Sequence, residues 1–227
     1  EKKAAEKGVR RQYCYYTQFS PSLLWASGDG KAEGKFLTPL AHSLHGSFRT
    51  KIELHSMLKS ITGPRIGFLD VSRAYDAACK HAESCLVKWK KVYERESRGR
   101  KDLYVVLLGR PYTILSKFMN KGIPDIFASL GVRVFFQDML PSASEDVEPV
   151  RKLLDEIHWH YASEILKAAQ VVARSEGAYP VLVTSFRCSP DSFATDYFKK
   201  IMEAHEKPYL ILQLDEHESS VGYETRI

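Results

Sequence analysis

The chain has 227 residues, which is enough for one large domain or two small lobes. Its net charge of +5 is spread thinly instead of forming a nucleic-acid-binding motif, and four cysteines are too few for a disulfide scaffold. The sequence shows no signal peptide and no long apolar span, so we expect a cytoplasmic protein with no nucleic-acid or membrane partner.

Both ends of the sequence look like interior parts of a longer polypeptide. The chain starts in a charged, helix-like run without an initiator Met, and it stops at residue 227 without a closing element. We therefore expect a piece of a longer protein, with some functional residues outside this sequence.

A cysteine among aromatic residues follows the charged start. Residues 13–19 favour a short strand, and Ser20 with Pro21 can open a helix over residues 22–26. Cys14 therefore lies just before an expected helix start. On local sequence alone, a buried cysteine in an aromatic cluster is the favoured interpretation.

Two helices are predicted before residue 101. The first covers residues 49–61 and ends at a Gly-Pro break, and the second runs from about residue 70 to residue 97. Apolar residues recur along the second helix at spacings of three and four. Cys79 and Cys85 lie beside or on this stripe, six residues apart, and we interpret both as core residues.

The rest of the chain alternates strands with helices. Strands are predicted at residues 103–108, 132–136, 179–186 and 209–214, and helices at residues 121–130 with an Asn120 cap, 146–174 and 193–205. A strand, a helix, a glycine and a strand within about thirty residues form a βαβ unit. The sequence therefore predicts an α/β fold with a parallel sheet.

The segment FRCSPDSF, residues 186–193, joins the third predicted strand to the helix that follows it. Cys188 would face free backbone N–H groups and the positive end of the helix dipole, which favour a thiolate, the form that ligates metal. Ser189 or Asp191 can cap the helix, and Pro190 suits its first turn. A metal ligand and a small apolar thiol explain this segment equally well.

Two other groups follow predicted strands. The turn at residues 109–112 contains Arg110 and Tyr112, and it lacks the G-x-G-x-x-G pattern of ordinary dinucleotide binding. Asp215, Glu216 and His217 follow the last strand. Such side chains at the carboxyl ends of strands are typical of sites in open α/β sheets, and they are also ordinary loop residues.

Four segments carry a family resemblance. They are VVLLGRPY (residues 105–112), GIPDIFASLGVRVFFQDMLP (122–141), FRCSPDSF (186–193) and KPYLILQLDEHESSVGYETRI (207–227). The chain resembles the 2-hydroxyacyl-CoA dehydratase D-component superfamily, and most closely its activase-type members, the CoA-substrate-specific enzyme activases. These fuse an ATPase module of the acetate kinase and actin type to dehydratase-like regions. Double-cubane cluster proteins belong to the same superfamily.

The resemblance implies a fold and a domain plan. We expect an α/β fold of Rossmann-like parallel sheets with helices on both faces, in two lobes joined by a long helix. The expected parts are a remnant of a first lobe at residues 1–62, a connecting helix at 63–101 and a C-terminally truncated second lobe at 102–227.

The resemblance also implies an iron–sulfur cluster, [4Fe-4S] or double-cubane, held between the lobes by cysteines from several loops. Cys188 is similar to the last cluster cysteine of the superfamily, and Cys14 to an earlier ligand loop, although Tyr15 stands where proline is common. A further loop of the C-F-P-x-K type is not found in the sequence and would lie upstream, together with the ATPase module. The implied surroundings of the cluster are Arg110, Tyr112, Ser189, Asp191, Asp215, Glu216 and His217.

Three functions are open at this point. The first is an iron–sulfur electron-transfer module, to which an ATPase activator module, fused or separate, delivers a low-potential electron for reduction of a substrate such as a CoA thioester. The second is a non-catalytic α/β docking module for an ATPase or a protomer that has lost its metal. The third is a metal-free enzyme that binds a nucleotide or CoA phosphate at residues 109–112. The resemblance implies a homodimer, and with two of the expected ligands the chain is expected to be inactive alone.

Overall fold

The structure is a computed structural model, and it describes residues 11–28, 37–42, 46–99, 102–141, 146–185, 188–215 and 221–227. The chain divides into two compact units, Glu1–Cys85 and Leu86–Ile227. The boundary between the units falls within a long helix, in the region where the sequence predicts one. The finer division at residues 62 and 101 stays a prediction.

The described part of the first unit is helical. Helix α1 spans Tyr15–Ser27, α2 spans Ser47–Thr62, and α3 spans Phe68–Ser97 and so continues into the second unit. A single 3-10 turn, Gly63–Arg65, separates α2 from α3 because a glycine and a proline interrupt the helical backbone there. The two predicted helices are therefore confirmed, each with a few more residues than expected.

The strand predicted over residues 13–19 is wrong, because residues 15–19 belong to α1 and residues 13 and 14 are in no strand. Pro21 lies inside the helix and has no N–H to donate to the carbonyl of Thr17. The hydroxyl of Ser20 donates to that carbonyl instead, at 3.2 Å, so the oxygen keeps a partner. Cys14 is the residue just before the helix, as predicted, and its carbonyl accepts the N–H of Gln18 at 3.1 Å.

The assignment of Cys79 and Cys85 to the core is also wrong. Cys79 is exposed and Cys85 is half-buried, and most residues around them in the middle of α3 are exposed as well. Among the residues of α3, the buried apolar side chains are Val71 and Tyr93, which lie towards its two ends. The apolar stripe read from the sequence is therefore largely open to solvent.

Among its described residues, the second unit has a four-stranded parallel sheet. The strands are β1 (Tyr104–Leu108), β2 (Arg133–Phe136), β3 (Ala178–Ser185) and β4 (Leu210–Leu214), and their order is β2-β1-β3-β4. Each neighbouring pair is parallel. The predicted strands and the parallel α/β fold are confirmed.

Six helices are described after β1: α4 (Pro111–Ile114), α5 (Ile123–Ser129), α6 (Arg151–Glu156), α7 (His160–Arg174), α8 (Ser189–Ala204) and α9 (Val221–Glu224). The single helix predicted over residues 146–174 is wrong, because extended backbone at Ile157 and Trp159 separates α6 from α7. Residues two apart point to the same side of an extended chain but to different sides of a helix. The break therefore lets both of these side chains pack against one hydrophobic cluster.

Asn120 does not cap α5, which has Gly122 at its N-cap. The amide of Asn120 donates to the carbonyl of Ile114 at 2.9 Å, and its Oδ1 accepts the N–H of Gly122 at 2.9 Å. This buried side chain therefore joins the end of α4 to the turn that starts α5.

The two faces of the sheet belong to two separate hydrophobic clusters. Alternate residues of β1, such as Val106 and Leu107, enter different clusters, because successive side chains of a strand point to opposite faces. One cluster includes residues of α7 and α8, and the other includes residues of α4, α5 and α9. All of β1 is buried, as its unbroken apolar sequence predicts, and helices on both faces are confirmed.

The strand order creates a reversal between β1 and β3. The chain passes from β1 to β2 through α4 and α5, and then returns across β1 to β3 through α6 and α7, which contribute to the cluster on the other face. Right-handed crossovers produce this change of face when the direction of winding reverses. Ligands of open α/β sheets bind at the carboxyl ends of the strands beside such a reversal. The carboxyl ends of β1 and β3 are therefore the first place to look for a site.

Candidate functional site

An ion pair between Arg110 and Asp191 lies at the carboxyl ends of β1 and β3. Nη2 of Arg110 is 2.8 Å from Oδ2 of Asp191, and the two side chains are 11% and 7% exposed. The same Nη2 donates to Oγ of Ser185 at 2.6 Å, and the N–H of Ser185 donates to Oδ2 of Asp191 at 2.9 Å. Three residues therefore tie the end of β3, the start of α8 and the loop after β1 together.

The guanidinium of Arg110 is kept charged in this nearly buried position. Burial lowers its pKa, but the charges of Asp191, Tyr112 and Cys188 outweigh that effect, so the net pKa is raised. Nη1 also donates to Oη of Tyr112 at 2.8 Å, and the guanidinium carbon lies 5.2 Å from the centroid of that ring. A buried charge with this many partners is a fixed electrostatic feature of the site.

Gly109 determines where Arg110 leaves the sheet. A Cβ atom at this position would lie 2.7 Å from Cγ2 of Ile114 and 2.8 Å from the carbonyl oxygen of Val183. The N–H of Gly109 donates to Oε1 of the buried Gln137 at 3.0 Å. Because only glycine fits between β3 and α4, the backbone before Arg110 is held in a single path.

Cys188 is the N-cap residue of α8 and is half-buried. Its N–H donates to the carbonyl of Ser185 at 3.3 Å, and its carbonyl accepts the N–H of Ser192 at 2.9 Å. The thiol thus lies between a strand end and a helix start, as predicted, and it interacts electrostatically with Arg110. The positive charge of Arg110 and the positive end of the helix dipole both favour a thiolate.

The predicted capping roles of Ser189 and Asp191 are wrong. Helix α8 begins at Ser189, four residues earlier than the sequence predicts, and no side chain caps it. The carboxylate of Asp191 points to Arg110 and Ser185 instead, because a buried cation is a stronger partner than a backbone N–H. Pro190 lies in the first turn, as predicted.

Aromatic rings lie beside Arg110 and along the start of α8. Tyr112 and Tyr161 meet edge to face with ring centroids 5.8 Å apart, and Trp159 and Phe193 do so at 5.9 Å. Phe193 also contacts Tyr197 at 4.8 Å. Tyr112 and Phe193 are partly exposed, so both groups of rings are open to solvent.

The structure thus brings together four of the predicted residues, Arg110, Tyr112, Asp191 and Cys188. Ser189 and Asp215 are exposed, and Glu216 and His217 lie outside the described residues. Cys14 is half-buried and belongs to the other compact unit. Its sharing of one cluster with Cys188 stays a prediction.

Sequence reasoning missed two contributors to this site. Ser185 and Gln137 bond to Arg110, Asp191 and Gly109. Both are polar residues that end or directly follow an apolar strand, and this position is the signal that could have identified them.

The thiol of Cys188 is not part of a complete metal site within the described residues. In these parts of the chain, no three His, Cys, Asp or Glu side chains are grouped so that they could hold a metal ion. A [4Fe-4S] cluster takes four cysteine thiolates. The residues at this edge of the sheet therefore fit one ligand of a cluster and not a whole set.

Comparison with known proteins places the chain in a family. The family model described as the CoA enzyme activase uncharacterised domain (DUF2229) matches residues 1–140, which is more than half of the chain. No curated protein and no solved structure matches the chain. Within the described ranges, none of the helices has the length and apolar character needed to cross a membrane.

The matched range contains Cys14, Arg110 and Tyr112 and ends before Cys188. The family match confirms the activase-type resemblance seen in the sequence. The chain therefore belongs to the family of CoA enzyme activase domains.

Proposed function

We propose that this chain is the iron–sulfur electron-transfer part of an ATP-dependent activase and reductase system of the 2-hydroxyacyl-CoA dehydratase type. The observation that carries the proposal is the position of Cys188 beside Arg110, at the reversal between β1 and β3. Membership of the CoA enzyme activase family supports a role in activation of a partner enzyme.

Cys188 has the surroundings that a cluster ligand needs. A thiolate binds iron, and both the Arg110 guanidinium and the N–H groups at the start of α8 stabilise that anion. Fixed positive charge and hydrogen bonds near the sulfur also set the reduction potential of a cluster. When bound, the cluster accepts and donates single electrons.

The ion pair acts on the cysteine through the backbone. Asp191 lies in the first turn of α8, and its carboxylate accepts the N–H of Ser185, the last residue of β3. Cys188 is the N-cap residue of α8, three positions before Asp191, so the ion pair holds the turn that presents its thiol. Tyr112 covers part of the guanidinium of Arg110 and accepts a hydrogen bond from it.

The remaining ligands of the cluster come from elsewhere in this proposal. Cys14, at the start of α1, supplies a second thiolate, and residues outside this sequence supply the others. An ATPase activator module, fused or separate, delivers the electron, and a CoA thioester is the proposed electron acceptor. The functional form is a homodimer.

Anaerobic reconstitution tests the ligand assignment. The protein is prepared together with the segments that supply the other ligands and is treated with ferrous iron and sulfide, and its bound iron, bound sulfide and visible absorption are measured. We expect Cys188→Ala and Cys14→Ala each to lose most of the bound iron. Cys79→Ala is the matched control, because this exposed cysteine of α3 is not one of the proposed ligands. Unchanged iron content in the Cys188 and Cys14 variants would remove the assignment.

A docking module without metal is the second candidate, and α1 is the observation that favours it. This helix buries none of its residues and exposes large apolar side chains such as Tyr16, Leu24 and Trp25. An exposed apolar surface of this kind is typical of a protein interface. Under this alternative, the chain binds no iron but forms a dimer, and the combined change Tyr16→Ser and Trp25→Ser makes it monomeric in light scattering.

A further inference from the structure

A histidine and a cysteine, two side-chain types that ligate metals, are paired on α3. His81 and Cys85 are four residues apart and therefore lie on the same face of the helix, one turn from each other. Sγ of Cys85 is 3.5 Å from Nε2 of His81. His81 is exposed and Cys85 is half-buried, so an ion from solvent can reach both atoms.

The separation of these two atoms matches one edge of a tetrahedral metal site. Zinc binds thiolate sulfur at about 2.3 Å and imidazole nitrogen at about 2.0 Å, so the sulfur and nitrogen of a tetrahedral site lie about 3.5 Å apart. The helix already holds His81 and Cys85 at that distance. On binding, both residues keep their places in the helix, and the imidazole ring turns so that the Nε2 lone pair points to the cation instead of the sulfur.

We propose that Nε2 of His81 and Sγ of Cys85 chelate one soft divalent cation of the Zn²⁺ kind across a turn of α3. The cation forms a bond to each atom, and the thiol of Cys85 releases its proton to solvent. Water or groups from a second copy of the chain occupy the other coordination positions, because the described residues group no third His, Cys, Asp or Glu side chain with this pair.

This inference does not depend on the iron–sulfur proposal. Cys85 is not one of the proposed cluster ligands, and the bound ion links two residues of a single helix. Cys85→Ala is therefore expected to keep the iron of the reconstituted chain, whereas Cys188→Ala is expected to keep the α3 site. Failure of one proposal leaves the other intact.

Cobalt is a suitable probe, since Co²⁺ bound to thiolate gives a charge-transfer band and Zn²⁺ displaces it. The full chain is titrated with Co²⁺ after Cys14, Cys79 and Cys188 have been changed to Ala, which leaves Cys85 as the one thiol. We expect a thiolate band that saturates at one Co²⁺ per chain and disappears with Zn²⁺. Saturation at one Co²⁺ per two chains, with doubled mass in light scattering, equally supports the site with a second copy as the further ligand source.

Two variants test the ligands separately. His81→Gln is expected to weaken Co²⁺ binding by more than about tenfold, because even residues outside the coordination sphere have effects of that size. His55→Gln on α2 is the control and is expected to bind Co²⁺ normally. In the otherwise unchanged chain, Cys85→Ala should bind one thiolate-ligated Co²⁺ less. Absence of the band while Cys85 is present, or equal affinity in His81→Gln, would overturn the proposal.

Discussion

The two compact units differ sharply in how much they bury. In the second unit, both faces of the sheet lie in continuous clusters of buried apolar residues. In the first unit, the buried residues among those described are Thr50 and Val71. Large apolar side chains are common in both units, so composition does not explain the difference.

The layers of helix and sheet in the second unit explain the difference in burial. A parallel sheet has two faces, and each residue of a strand is buried once helices cover both of them. The helices of the first unit are instead joined by isolated contacts, such as the 2.7 Å ion pair of Lys51 with Asp76 and the edge-to-face contact of His55 with Phe68. A site that depends on fixed geometry, such as the pairing of Arg110 with Asp191, is therefore expected in the second unit.

The largest expected effect comes from removal of a core ring. Phe198 is 0% exposed and Phe19 of α1 is 56% exposed. We expect Phe198→Ala to lower the free energy of unfolding by about 4 kcal/mol, because the change leaves a cavity under α8. Phe19→Ala is expected to change it by less than about 0.5 kcal/mol. Urea unfolding followed by circular dichroism measures the free energy of unfolding of both variants. Equal losses of stability would contradict the difference in burial between the two units.

Gly109→Ala is expected to be the next most harmful change. The added methyl group would overlap the side chain of Ile114 and the backbone of Val183, at a cost of about 3 kcal/mol in the free energy of unfolding. Gly222→Ala in α9 is the control, because a Cβ at that position meets nothing within 4 Å. Comparable destabilisation by the two changes in urea would refute the close-packed turn before Arg110.

Loss of one member of the buried ion pair is expected to cost about 2 kcal/mol in the free energy of unfolding. Asp191→Asn leaves the charge of Arg110 without its carboxylate, and Arg110→Gln has the converse effect. The double variant is expected to lose less than the sum of the two single changes, which a double-mutant cycle measures.

An exposed ion pair on the same helix gives the matched control. Lys200 and Asp196 of α8 are 2.8 Å apart, but both side chains are 64% exposed. Asp196→Asn is expected to change the free energy of unfolding by less than about 0.5 kcal/mol. Additive losses at Arg110 and Asp191, or a large loss at Asp196, would contradict the proposed role of burial.

The smallest effect is expected at Asp138, just after β2. Burial, and then the charge of Glu164, raises the pKa of Asp138 above its ordinary value. The folded chain therefore holds this proton more tightly than the unfolded chain. The resulting stability is complete below the unfolded pKa and is lost as the pH rises through the folded pKa.

Asp138→Asn consequently removes a charged group that weakens the fold at neutral pH. We expect its Tm to exceed that of the unchanged chain by roughly 1–2 °C near neutral pH, after screening by solvent. The gain is expected to vanish below about pH 4, where the carboxyl group is protonated in both states. Calorimetry across this range tests the sign, and a gain that does not vary with pH would contradict it.

Much of the second unit could be predicted from the sequence. The apolar run at residues 103–108 became β1, and the runs that became β2, β3 and β4 were recognised in the same way. Such runs are informative because a strand covered on both faces needs apolar residues at every position. The break between α6 and α7 was missed, since it depends on how Ile157 and Trp159 pack in the finished core.

The aromatic residues at the start of α1 led to the wrong strand prediction. No strand partner was visible in the sequence, and aromatic side chains suit an exposed helix face as well as a strand. Local signals therefore identified the strand that is buried along its whole length, and they failed for a helix that buries none of its residues.

The candidate site was only partly predictable. The placement of Cys188 follows from its neighbours alone, because a strand and a helix meet there. The pairing of Arg110 with Asp191 joins residues 81 positions apart, and it depends on the order of the strands. Only the assembled sheet brings these two side chains together.

Anomalous diffraction at the iron absorption edge shows whether Cys188 is a ligand of iron. The crystals are of the anaerobically reconstituted protein with all of its ligand segments. We expect an iron peak at bonding distance from Sγ of Cys188, beside Arg110. Iron bound elsewhere in the chain, with the thiol of Cys188 free, would contradict it.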